Sequence, residues 1–106
     1  MLKIKTEGNK PCRVKGIQPE ILLAAFAATG LAGKMFRGLD CVITSCTDSH
    51  EHLESFHNGG LAIDIRTRDM PEPQVKEFTE ELRKCLGDEY DVVVEKDHIH
   101  IEFDPK

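Results

Sequence analysis

Residues 61–65 read Leu-Ala-Ile-Asp-Ile, a strict alternation in which Leu61, Ile63 and Ile65 face one side of an extended chain and Ala62 and Asp64 face the other. A strand patterned in this way lies between an apolar core and a polar face. Towards the C-terminus, His98-Ile99-His100-Ile101-Glu102-Phe103 repeats the pattern: Ile99, Ile101 and Phe103 point inward, and His98, His100 and Glu102 project together. Tyr90 to Glu95 is a further strand, and the tight Lys96-Asp97 link makes the pair an antiparallel hairpin. On the other side, β-branched Cys41-Val42-Ile43-Thr44-Ser45-Cys46 is a strand, followed by a polar surface loop from Thr47 to Glu54. Met1 to Lys5 suits a short edge strand, and Gly8 to Gly16 with Pro11 reads as a loop.

Two helices complete the pattern. Gln18-Pro19-Glu20 is a helix start with Pro in the first turn and an acid at the positive end of the dipole, and the Ala-rich run continues to a stop at Gly30, about 19–29. Pro71 to Pro73 opens a second, amphipathic helix through Val75, Phe78, Leu82 and Leu86 that Gly87 ends. The expected fold class is α+β, a small antiparallel sheet with two main helices in a single domain, 1–106.

At 106 residues the chain has material for one modest core only. A net charge of −5 with no Lys/Arg run argues against a nucleic-acid partner, whose phosphates need a basic stripe. Four cysteines without a C-x-x-C pair read as free thiols. The apolar stretch from Ile21 to Gly33 starts late and abuts Glu20, unlike a signal peptide. It also falls short of the ~20 apolar residues that span a bilayer. A monomer without membrane insertion, cytoplasmic at synthesis, is expected.

Two polar clusters carry the chemistry. Residues 55–64, Ser-Phe-His-Asn-Gly-Gly-Leu-Ala-Ile-Asp, and 97–100, Asp-His-Ile-His, supply imidazole nitrogen and carboxylate oxygen, the ligands of catalytic zinc. Two His and one carboxylate leave a fourth tetrahedral position open. His57, Asp64 and His100 are the expected zinc ligands, brought together if the two strands are neighbours. Gly59-Gly60 turns the chain between loop ligand and strand ligand, and Ala62 is small enough to leave room beside Asp64. Asp97, three residues before His100, is the proton-transfer carboxylate, with Glu95 as substitute. His98 assists by stabilising developing charge or binding substrate. Ser55 is placed to contact substrate or to hydrogen-bond a ligand, and His50 and His52 line the entrance.

These residues resemble a known family: zinc D-alanyl-D-alanine carboxypeptidases and dipeptidases, with phage L-alanyl-D-glutamate endopeptidases. Its pattern, S-x-H-x-x-G-x-A-x-D followed by carboxylate-x-x-His, is matched by Ser55, His57, Gly60, Ala62 and Asp64 and then by Asp97 and His100. The resemblance covers about 41–103. It implies the small α+β fold shared with the hedgehog signalling domain, one catalytic zinc, and hydrolysis of peptide bonds in peptidoglycan stem peptides. It is nearest to a minimal phage catalytic domain, released to the cell wall by a phage lysis system. The hedgehog domain also shows that a preserved zinc site need not carry peptidase activity, so a non-catalytic zinc-stabilised binding or virion-structural protein is the alternative. One position departs from the family: the substrate-binding Arg expected before the first His is missing from Thr44 to Asp48. Arg37 is the candidate to replace it, with Arg66 and Arg68 as substitutes.

Overall fold

A computed structural model describes residues 1–6, 12, 14–46 and 60–105. Its elements are β1 (Leu2–Ile4), α1 (Pro19–Met35), β2 (Cys41–Ser45), β3 (Ala62–Arg66), α2 (Glu72–Leu86), β4 (Tyr90–Val94) and β5 (His98–Phe103). The strands form one sheet in the order β1-β2-β3-β5-β4. The fold is α+β, as the alternation and the two helical runs predict.

The expected antiparallel sheet is mixed instead, because β1 pairs parallel with β2. The other three pairings are antiparallel. Parallel neighbours need a long crossover, and α1 lies within the one that returns the chain from β1 to β2.

Both helices cover one face of the sheet. Ile43, Ile63, Ile65, Ile99 and Ile101 are fully or almost fully buried in one cluster with Ile21, Ala24, Ala28, Phe78 and Leu82. The side chain of Arg83 on α2 donates from Nη2 to the Val92 carbonyl at 2.7 Å. Tyr90 Oη donates to the Glu20 carbonyl at 2.8 Å. These bonds tie each helix to β4.

Helix α1 runs past its expected end at Gly30 to Met35. A mid-helix glycine costs about 1 kcal/mol relative to alanine. Continuing the helix buries Ala32 and delivers Phe36 to the core, where its ring lies 5.9 Å from that of Phe78. That burial outweighs the local breaker. Helix α2 ends at Gly87, with φ 82°, where the sequence places its stop.

Candidate metal centre

The outer face of β3 and β5, away from the helices, carries the polar residues. Their register sets Asp64 directly opposite His100, Arg66 opposite His98 and Ala62 opposite Glu102. His100 Nδ1 lies 2.9 Å from Asp64 Oδ1, and its other ring nitrogen lies 2.8 Å from Glu102 Oε1. With a carboxylate on each side, the imidazolium form can donate from both nitrogens. The pKa of His100 is accordingly raised above its ordinary value of 6.5, by Asp64 first and Glu102 in support, against the opposing pull of burial.

His98 points its Nε2 at the same Asp64 oxygen, 3.8 Å away, while its Nδ1 donates to Asp97 Oδ1 at 2.7 Å. That bond holds the Asp97 carboxyl below its usual range, although the side chain is largely in solvent. Asp97 therefore meets the centre through His98.

Local backbone features fix these positions. β2 pairs with β3 through a register shift between Ile43 and Ser45, which brings Ser45 opposite Asp64. Bulges of this kind re-aim side chains beside functional sites. Thr44 Oγ1 donates to the Asp64 carbonyl at 3.4 Å. At the entry to β3, Gly60 has φ 76°, and a Cβ there would collide with the Gly16 carbonyl oxygen. The Gly60 carbonyl accepts from the Gln18 amide at 3.0 Å. Ala62, two residues before Asp64, is fully buried.

Asp64 and His100 present a carboxylate oxygen and an imidazole nitrogen, donor types that zinc takes. Two donors on one tetrahedral zinc at ~2.0–2.1 Å stand about 3.3 Å apart. Asp64 Oδ1 and His100 Nδ1 stand 2.9 Å apart. A metal-bound His commonly donates its second nitrogen to a carboxylate, the place Glu102 takes here. Among the described residues, the group of three potential ligands whose atoms all lie within 4.8 Å of one another is Asp91, Glu102 and Asp104, an arrangement common on protein surfaces without an ion.

Of the residues singled out in the sequence, Asp64, His98 and His100 come together, and Asp97 joins them through His98. His57, Ser55, His50, His52 and Gly59 lie outside the described residues. Glu95 caps the hairpin, its amide bonded to the His98 carbonyl at 2.8 Å. Arg37 is exposed in the turn between α1 and β2, at the opposite end of β2 from Ser45 and Asp64.

Arg66 and Arg68 line a cavity of about 430 Å³ together with Lys5, Thr44, Asp97 and His98. The Arg66 side chain is braced by Asp69, Nε at 2.9 Å. Glu102 shares the outer face with His98 and His100, as the alternation predicts, and its bond to His100 gives it a part in the site that the alternation alone does not assign. The signal was its spacing, since residues two apart on a strand are same-face neighbours.

No disulfide joins the four cysteines, and burial raises the pKa of the Cys41 thiol. Among the described residues no helix is long and apolar enough to cross a membrane. No family model matches the chain, and no curated protein matches it either.

Proposed function

We propose that this chain is a zinc metallopeptidase that hydrolyses peptide bonds in peptidoglycan stem peptides, of the D-alanyl-D-alanine carboxypeptidase or L-alanyl-D-glutamate endopeptidase type. The observation that carries the reading is the Asp64–His100 pair, backed by Glu102 and flanked by the His98–Asp97 pair. Asp64 and His100 would hold the ion, with His57 as the third ligand. A bound zinc supplies Lewis acidity, which polarises the scissile carbonyl and makes a water proton easier to remove.

The remaining work falls to the chain itself. Asp97 and His98 form a hydrogen-bonded pair that accepts a proton from the attacking water and passes it to the leaving amine nitrogen as the C–N bond breaks. Asp97 orients the His98 ring, so that Nε2 is the atom presented to the centre. Lys5, Arg66 and Arg68 line the adjoining cavity beside Asp97, with Arg66 also paired to Asp69, and these cations are the candidates to meet a carboxylate of a stem peptide. Arg66 and Arg68 thereby take the substrate-binding part first assigned to Arg37. The site of action is the cell wall, reached through a phage lysis system.

The test is mass spectrometry of defined muropeptides after incubation with zinc-loaded protein. A single new pair of product masses is expected, and it identifies the bond. The Asp97→Ala protein should keep its zinc and lose roughly 10²–10⁴-fold in turnover. Intact stem peptides with zinc bound would overturn the peptidase reading in favour of a zinc-stabilised binding or virion-structural protein.

A further inference from the structure

A helix lying on a sheet normally turns charged and polar side chains to solvent. Helix α2 does so: its exposed side carries Glu80, Arg83 and Lys84, with an Arg83–Glu80 ion pair at 2.9 Å. Helix α1 does not. Leu22, Leu23 and Phe26 are 38%, 65% and 55% exposed, and Gly30 and Gly33 are exposed with open space where a Cβ would stand. At 100° per residue these five fall on one stripe, opposite the buried Ile21, Ala24, Ala25, Ala28 and Ala32.

The stripe has an internal order. Its large side chains, Leu22, Leu23 and Phe26, occupy the N-terminal half, and its glycines occupy the C-terminal half. The only charged residues of α1 are Glu20 in the first turn and Lys34 in the last, both on the same flank of the stripe.

We infer that α1 is the contact surface of a symmetric dimer, in which two copies of this chain pack their α1 helices antiparallel about a twofold axis. A twofold contact matches one patch with itself. Turning the helix end for end sets Phe26 of one copy level with Gly30 of the other and Leu23 level with Gly33, so that bulk meets space on both sides. The same rotation brings Glu20 of each copy beside Lys34 of the other along the rim. A parallel pairing would set Phe26 against Phe26 and carry the charged flanks to opposite rims, leaving Glu20 and Lys34 without a partner charge across the contact. Charge and shape therefore both select a second, antiparallel copy. The contact lies on the helical side of the sheet, so the outer face with Asp64 and His100 stays open in both copies. This inference does not depend on the peptidase reading, and it departs from the monomer expected of the sequence.

The test is sedimentation equilibrium of the whole chain from micromolar to millimolar concentration, with circular dichroism to confirm folding. The apparent mass should rise from 11.9 kDa towards twice that value. Phe26→Asp should keep the chain monomeric. Gly30→Leu should raise the dissociation constant by about tenfold or more, while raising the thermal midpoint of the monomer, because the helix loses a glycine. Glu20→Lys and Lys34→Glu should each weaken association, and the double change should recover it. A chain that stays monomeric throughout would overturn the inference, including one that instead binds vesicles of neutral lipid through this face. A dimer indifferent to Phe26→Asp and Gly30→Leu, or one not recovered by the double charge change, would overturn it equally.

Discussion

Ile63, Ile65, Ile99 and Ile101 leave β3 and β5 on one side of the sheet, and Asp64, His98, His100 and Glu102 leave the same two strands on the other. The first set is completely buried. The second is partly open, with side-chain exposures from 15% at Asp64 to 29% at His98. One register serves both sets: the pairing that stacks Ile63 on Ile101 and Ile65 on Ile99 also places Asp64 against His100. A slip of one residue would send every side chain of a strand to the wrong face. The site is therefore held in alignment by the core behind it, although no catalytic candidate lies in that core.

The inner face sets the largest expected effect. Ile101→Ala removes a fully buried side chain and should cost about 2–5 kcal/mol of stability, read from urea unfolding. The molecules that remain folded should still bind zinc with unchanged stoichiometry. Loss of zinc from the folded fraction would mean that the two faces are less separable than the register implies.

Gly60→Ala acts at the hinge between loop and strand. It places a side chain at positive φ and against the Gly16 carbonyl, and should cost at least about 1–3 kcal/mol. A variant of unchanged stability would show that the entry to β3 is not locked to the segment before α1.

The outer face contributes a pH dependence of definite sign. In metal-free protein His100 has a raised pKa, so its stabilising contribution is fully present below the unfolded value of about 6.5 and fades as pH climbs through the folded value. The thermal midpoint of the metal-free chain should fall over that window, and His100→Gln should flatten the fall. In zinc-loaded protein the sign reverses, because metal displaces the proton and is itself lost at low pH.

The smallest effect is expected at Val93, which pairs with His100 across the hairpin and is 44% exposed. Val93→Thr should change stability by no more than about 0.5 kcal/mol and leave zinc binding intact.

The elements built on strict periodicity were legible in the sequence. Alternation at 61–65 and 98–103 identified both the strands and their faces, and the amphipathic period with Gly87 bounded α2. The end of α1 was not legible, because Gly30 is a local signal and the burial of Ala32 and Phe36 is a tertiary one. The direction of β1 was equally hidden, since three residues of strand carry no mark of parallel or antiparallel pairing.

At the site, residue types and spacing named Asp64, His98 and His100. What spacing could not convey was the bond from Glu102 to His100, or that Asp97 would meet the centre through His98. Arg37 lies at the far end of β2, whereas Arg66 and Arg68 line the cavity beside His98, a placement that no residue spacing conveys.

The most direct measurement is a calorimetric titration of zinc into metal-free protein, run on wild type and on the Asp64→Ala, His100→Ala and Asp97→Ala variants with metal content checked by mass spectrometry. The expected result is one zinc per wild-type chain with release of protons, binding lost in Asp64→Ala and His100→Ala, and binding retained in Asp97→Ala. Failure of the wild type to bind zinc, or binding that survives both ligand substitutions, would contradict a metal centre at Asp64 and His100.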